Sequence, residues 1–486
     1  MRLAAVTAVL LAAAAGCTPA TRTPADAGVD RAGVVTAGLQ AAIQVEGKPA
    51  PKMSLADRMA HYHIPGVSIA VVDSGRIVWA SGFGVKQAGS NDSVTPTTLF
   101  QSASISKPVT ATALLKLVEE GRLALDENVN TYLKSWHLPD NQFTATEKVT
   151  LRRLVSHTAG LTVHGFAGYS TTDTLPSVQQ ILDGKRPANS DPVRVEAVPG
   201  TTWNYSGGGT TIIRLVMTDV TGEPFPALMK RLVLDPAGMS HSTYEQPLPA
   251  ALEPAASAAH LGNGTMIPGR WHVYPELAPD GLWTTPTDLL QWAIEIAASR
   301  AGASTKLLSQ SMTNQMLTVV KPPTGLGPFL EGTGREFRFG HGGSNAGFQS
   351  DLVYFPETGQ GAAIMTNGDQ GAALIAEIKF AIAAEYGWPG YTPRMVKVIP
   401  VDSTALAALT GDYQLDYRGQ TLPLSIKLQN GKLIASTPVM GDDEELLPTS
   451  ATKFVSSVRG MEFAFSGNVL TVTADGAFVL KGPRRE

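Results

Sequence analysis

Two blocks of strand-forming residues, one at each end of a long helical and loop-rich stretch, constrain this chain more than any other feature. Near the start, Val67-Ser68-Ile69-Ala70-Val71-Val72 and Arg76-Ile77-Val78-Trp79 flank Asp73-Ser74-Gly75, a pattern that predicts a β-hairpin. Far downstream, Asp351-Leu352-Val353-Tyr354-Phe355 and Gly361-Ala362-Ala363-Ile364-Met365 flank a Pro-Glu-Thr-Gly turn, and a helix is expected from about Ala373 to Tyr386. Strands at both ends with helices between them predict an α+β layout, with the two ends paired in one antiparallel sheet across residues 36–390. After Gly390 the pattern changes. Leu424 to Leu428, Lys432 to Ile434, Met461 to Phe465 and Val469 to Val472 alternate around turns at Asn430-Gly431, Gly467-Asn468 and Asp475-Gly476. Residues 391–486 therefore read as an antiparallel, barrel-like module serving as a support or lid.

With 486 residues and 43% hydrophobic content the chain can bury a large core and hold two domains. Its 38 basic and 42 acidic residues are interspersed without a basic stripe, which argues against nucleic acid as a partner. Met1-Arg2 followed by the apolar run Leu3 to Gly16 is too short to span a bilayer but fits a signal peptide. It ends Ala14-Ala15-Gly16-Cys17, at the sole cysteine, and resembles a bacterial lipobox. Residues 1–17 are thus expected to be a lipoprotein signal, with Cys17 lipidated; the alternative is a plain cleaved signal and a leftover thiol. Residues 18–35, rich in Thr, Pro, Ala and Asp up to Ala32, read as a flexible tether. A lipid-anchored location in the bacterial envelope follows as an expectation, and a chain with one cysteine forms no internal disulfide there.

The chemistry is expected at Ser104 and Lys107, in Ser102-Ala103-Ser104-Ile105-Ser106-Lys107-Pro108, just ahead of an apolar helical run through Val118. A serine hydroxyl is a poor nucleophile unless a proton acceptor lies within reach, and residues i and i+3 of a helix share a face. Burial is expected to depress the Lys107 pKa so that it can pass a proton near neutrality. A Ser-x-x-Lys tetrad arises by chance about once in a chain of this length. Ser450-Ala451-Thr452-Lys453 is such a copy, set in a region of strands where the two side chains diverge. His61 and His63 have metal-like spacing without acidic companions, so no metal and no cofactor are expected.

Two further segments carry groups that such a serine needs. Trp203-Asn204-Tyr205-Ser206-Gly207-Gly208-Gly209 sets a tyrosine on a glycine-lined loop before an apolar helix, and Gly340-His341-Gly342-Gly343-Ser344-Asn345 opens a predicted strand. The three segments in order resemble the serine β-lactamase and penicillin-binding-protein superfamily. The class C branch is nearest, with its D-aminopeptidases, D-alanyl-D-alanine peptidases and family VIII carboxylesterases. Ile64-Pro65-Gly66-Val67, Leu154 to Leu161 and Gly281 to Asp288 look like its linking phrases, so the resemblance spans roughly residues 50 to 390. It implies a β-lactamase/transpeptidase-like fold in which Ser104 is acylated and Lys107 is its proton partner. Tyr205 would carry protons to the leaving group, and the N–H groups of Ser104 and Ser344 would form an oxyanion hole, with His341, Gly342 and Gly343 bordering the cleft. His157 reads as a buried, hydrogen-bonded histidine.

Two departures bear on substrate. Gly207 stands where the family has an asparagine, and His341 where it often has a lysine, removing one amide and one permanent cation. Histidine gains charge only as pH falls toward its reference value of about 6.5, so carboxylate-bearing substrates are expected to fare better at low pH. The expected activity is hydrolysis of an ester or a small D-configured peptide or amide. A weak β-lactamase and a non-catalytic relative that binds muropeptides or a protein partner are the alternatives. A Gly-x-Ser-x-Gly elbow is missing: Gly66-Val67-Ser68-Ile69-Ala70 and Gly342-Gly343-Ser344-Asn345-Ala346 both lack the last glycine.

Overall fold

The computed structural model describes residues 30–50, 52–417, 420–437, 443–474 and 478–485. Cys17 and the expected signal lie outside the described residues. A six-stranded antiparallel sheet forms the centre, in the order Arg76–Gly84, Gly66–Asp73, Gln360–Thr366, Phe348–Phe355, Arg338–Asn345, Phe329–Glu331. The expected pairing of the two ends is met by Val67 to Val72 against Thr366 to Gly361. Ser74 and Gly75 both have positive φ, 52° and 73°, as a two-residue type I′ hairpin turn requires.

Side-chain alternation divides the core. Val67, Ile69, Val71, Val353, Phe355 and Ile364 pack toward the Gly371–Tyr386 helix. Ala70, Val72, Leu352, Tyr354, Ala363 and Met365 point to the opposite face, into the larger core around the Ser106–Glu119 helix. Both faces are covered, which is why these strands read as continuous apolar runs rather than as an alternating pattern.

Residues 411–483 hold a closed eight-stranded antiparallel barrel in sequential order. Tyr413, Leu415, Phe454, Phe463, Phe465 and Leu470 fill it, as the narrow interior of an eight-stranded barrel allows. Asn430 and Gly431 (φ 49° and 76°) make the expected hairpin turn; Asp475-Gly476 lies outside the described residues. Between the two bodies, Arg394–Val396 pairs in parallel with Ile43–Val45. A helix occupies Arg31–Ala37, where the sequence reads as tether: Asp30 caps it by accepting from the Gly33 N–H at 2.9 Å, and Val35 is buried. No helix among the described residues is long and apolar enough to cross a membrane.

Candidate active site

Ser104 sits two residues ahead of the Ser106–Glu119 helix, in a 3₁₀ turn, Ala103–Ile105, that feeds it. In a 3₁₀ turn the side chains at i and i+3 eclipse, so the spacing still delivers Lys107 to Ser104: Lys107 Nζ donates to Ser104 Oγ at 2.9 Å. Ala103 has φ +49°, a strained conformation for a residue with a Cβ, held by its surroundings. Ser106 Oγ donates to the Ala103 carbonyl (2.5 Å) and accepts from Leu282 N–H (3.1 Å); Ser102 N–H donates to the Leu282 carbonyl (2.9 Å). The short strand Phe100–Gln101 pairs with Trp283–Thr284, which fixes residues 279–284 beside the turn.

That pairing brings in a residue that lies outside the three motifs. Asp280 Oδ1 accepts from Ser104 Oγ at 3.1 Å and from Lys107 Nζ at 3.2 Å. Lys107 Nζ also donates to the Pro279 carbonyl at 3.0 Å. Lys107 and Asp280 are 3% and 4% exposed, so this is a buried ion pair touching the serine. The expectation of a depressed Lys107 pKa is overturned. Burial alone would lower it, but the Asp280 carboxylate and the Tyr205 ring opposite raise it above the ordinary lysine value, and Lys107 is an ammonium.

Tyr205 lies half-buried with its ring centroid 5.0 Å from Lys107 Nζ. It precedes not a glycine loop but a helix: Gly207, Gly208 and Gly209 form the first turn of Gly207–Thr221, capped by Ser206 Oγ accepting from Gly209 N–H at 3.0 Å. A Cβ on Gly207 would stand 3.0 Å from the Phe166 ring, so Phe166 covers the place where a longer side chain would project. His157 is buried, as expected. Its Nδ1 accepts from Ser206 N–H at 3.2 Å, and burial, Lys107 and His341 hold its pKa well below the usual value.

The Arg338–Asn345 strand closes the other side. A Cβ on Gly343 would fall 2.1 Å from the Ser102 carbonyl oxygen and 2.3 Å from Ser350 Oγ, so only glycine lets this strand lie against the Ser104 turn. Gly342 has nothing nearer than 3.9 Å and is not required in that sense. Asn345 Nδ2 ties the strand end to Gln101 Oε1 (2.8 Å) and to the Asp280 carbonyl (3.1 Å). His341 stacks on Phe329 at 4.3 Å and 16°, and its Nδ1 donates to the Gly342 carbonyl, leaving the buried Nε2 a bare acceptor with no partner among the described residues. Burial and the nearby Lys107 ammonium, against that carbonyl, pull its pKa down to about 3. His341 therefore stays neutral at pH 6, and the expected gain of a cation there does not occur.

These groups share one cleft of about 460 Å³. Ser104, Trp203, Tyr205, Phe329, His341, Gly342, Gly343 and Ser344 line it, with Ile375 and Lys379 from the Gly371–Tyr386 helix. Lys379 Nζ is bound to Asp351 at 2.8 Å, and its pKa is raised because Asp351 and Tyr391 outweigh burial. Ser450 stands apart: its Oγ accepts from Lys453 N–H at 2.9 Å in an exposed turn.

Residues 54–386 match the protein-family model described as Beta-lactamase. Penicillin-binding protein 4 of Amycolatopsis lactamdurans is 28% identical over 372 residues, covering 71% of this chain and 93% of that protein. Protein flp of Staphylococcus aureus is 25% identical over 317 residues, covering 63% of this chain, and the chain spans 60% of that relative's length. Among solved structures, the octameric penicillin-binding protein homologue from Pyrococcus abyssi superposes with a TM-score of 0.59 at 22% identity, over 88% of this chain and 98% of that one. At that identity the likeness speaks for the fold.

Proposed function

Since the chain belongs to the Beta-lactamase family, we propose that it is a serine hydrolase that forms an acyl-enzyme on Ser104 and acts on an ester or a small D-configured peptide or amide. The observation that carries this reading is the 2.9 Å hydrogen bond from the Lys107 ammonium to Ser104 Oγ, at the wall of a cleft that also holds Tyr205. An ammonium at that distance stabilises negative charge growing on the serine oxygen as its proton departs. Tyr205 faces the same ammonium and supplies the proton that the leaving group needs. The backbone N–H groups of Ser104 and Ser344 serve the carbonyl oxygen, both residues lining the cleft and the close packing of Gly343 on Ser102 bringing the strand beside the turn.

The cleft wall of Trp203, Tyr205, Phe329 and Ile375 favours an apolar acyl or leaving group over a charged one. The test is intact-mass analysis after treatment with a fluorophosphonate: one adduct on the wild type and none on Ser104→Ala. Equal labelling of Ser104→Ala ends this reading.

We also propose an envelope location through a lipid on Cys17. Cys17→Ser should abolish incorporation of a clickable palmitate analogue, and unchanged membrane association in that variant would point to a plain signal peptide or to peripheral binding.

A further inference from the structure

We propose that Asp280, rather than Lys107, takes the proton from Ser104 during acylation. This rests on Ser104 being the nucleophile, and it follows from counting protons around the serine. An ammonium has three hydrogens and no lone pair. Those of Lys107 are shared among Ser104 Oγ (2.9 Å), the Pro279 carbonyl (3.0 Å), Asp280 Oδ1 (3.2 Å) and the Tyr205 side chain, all of which can accept. Lys107 can thus donate to Ser104 but cannot accept from it. The hydroxyl proton of Ser104 points instead at Asp280 Oδ1, 3.1 Å away. The second carboxylate oxygen, Oδ2, is buried and has no partner among the described residues, so the group has room for a proton. Its position is fixed from behind, because Asn345 holds the Asp280 carbonyl and the Gln101–Trp283 pairing holds the following strand.

The step balances without an outside reagent. Ser104 Oγ forms a bond to the substrate carbonyl carbon, the carbonyl π electrons move to oxygen, and the serine proton passes to the Asp280 carboxylate. When the bond to the leaving oxygen or nitrogen breaks, that atom takes the Tyr205 hydroxyl proton. Lys107 reprotonates Tyr205 and is itself restored from Asp280, so the serine proton has reached the leaving group. Water repeats the attack in deacylation: it bonds to the acyl carbon, gives its proton to Asp280, and Ser104 Oγ leaves with that proton.

The groups facing Asp280 are Lys107, Tyr274 and Glu276, and Lys107 in turn faces Tyr205, His157 and His341. Asp280→Asn should lower the pre-steady-state rate of acylation by p-nitrophenyl acetate about 10²- to 10⁴-fold, the usual range for losing a positioned base. The residual rate should climb with pH, because Lys107 loses its counter-charge and can shed a proton. The wild-type rate should stay level from neutrality upward, with no rise on loss of a lysine proton. Asp280→Asn acylating within about threefold of wild type, or faster, overturns the proposal while Ser104→Ala still tests the nucleophile separately. If Asp280→Asn does not fold, the wild-type profile decides: a rate that rises through pH 9 to 11 with loss of a lysine proton overturns it.

Discussion

The imidazole of His157 lies 4.4 Å from the ring of Tyr205, tilted by 37°, and grips the chain on both sides of it. Its backbone carbonyl accepts from Asn204 N–H at 2.7 Å, and its Nδ1 accepts from Ser206 N–H at 3.2 Å. His157 itself sits at φ +56°, so the residue is held in a strained turn in order to serve that contact. A neutral ring that accepts through Nδ1 carries its proton on Nε2, and burial keeps it neutral. His157 is a positioning residue for Tyr205. His157→Ala should lower kcat about tenfold or more with KM little changed, since a small misplacement of a proton carrier costs rate rather than binding. His157→Asn, which keeps a side-chain acceptor, should recover part of the loss. Equal changes in KM and kcat would argue against positioning.

Lys107 and Tyr205 should be separable from Ser104 by degree. Lys107→Ala leaves the Asp280 carboxylate buried without its cation, so it should cost stability as well as rate. Tyr205→Phe removes one hydroxyl and should cut kcat about 10²- to 10⁴-fold with the melting temperature nearly unchanged. Normal turnover by Tyr205→Phe on both an activated ester and an amide would remove Tyr205 from the reaction.

Ser104, Lys107 and the sheet are legible in the sequence because each depends on local spacing. An i, i+3 pair survives a change from α to 3₁₀ geometry, and apolar runs around Ser74-Gly75 and Thr358-Gly359 make hairpins whatever packs on them. Asp280 was not legible, because its neighbours in space are 176 and 173 residues away in sequence and only tertiary contacts, the Phe100–Gln101 pairing with Trp283–Thr284 and the Ser102 and Ser106 bonds to Leu282, bring them together. The charge states were not legible either. Lysine beside serine suggests a neutral amine only until a buried carboxylate is placed next to it. Histidine in a glycine strand suggests a titrating group only until Phe329 and Lys107 enclose it. Gly207 reads as a missing amide in the sequence, and in the fold it is the seat of Phe166.

Gly343 and Gly342 should respond very differently to a methyl group. Gly343→Ala places a Cβ 2.1 Å from the Ser102 carbonyl oxygen, so the strand or the nucleophile turn must shift. We expect a loss of about 1–3 kcal/mol from overpacking and slower fluorophosphonate labelling of Ser104. Gly342→Ala meets nothing within 3.8 Å, its nearest atom being at 3.9 Å, and should stay within about 0.5 kcal/mol of wild type. Matched urea melts of the two variants check this, and equal losses would place the close approach elsewhere.

Glu276 should make the protein less stable as pH rises. Both its carboxylate oxygens are buried, and no other described residue donates a hydrogen bond to them. Burial, aided by Asp280 and opposed by its own N–H and Arg214, raises its pKa to about 8. A carboxyl whose folded pKa exceeds its unfolded value of about 4.3 binds more protons in the folded state. Its contribution is fully present below pH 4.3 and is lost as pH rises toward 8, by about 1.4 kcal/mol per unit at most. Glu276→Gln removes that dependence, so its advantage over wild type in urea midpoint should grow from pH 5 to pH 8. A difference that stays flat would show that Glu276 is ionised in the folded protein.

Substrate charge gives the last prediction. Two lysines could attract a carboxylate, but Lys107 is paired with Asp280 and Lys379 with Asp351. His341, with its pKa at about 3, adds no charge anywhere in the working range. A hydrogen bond to a charged group is worth about 1.5–3 kcal/mol, or roughly ten- to a hundredfold in rate when felt in the transition state. Short-chain p-nitrophenyl esters should therefore be turned over well ahead of nitrocefin or penicillin G. The ratio of their kcat/KM values should also hold within about threefold from pH 8 to pH 6, because groups common to both reactions cancel and His341 does not titrate there. A ratio that moves tenfold toward the carboxylate-bearing substrate over that interval would mean that His341 does take a proton when the cleft is occupied. A β-lactam that matches the ester at pH 8 would mean that one of the two lysines releases its carboxylate partner on binding.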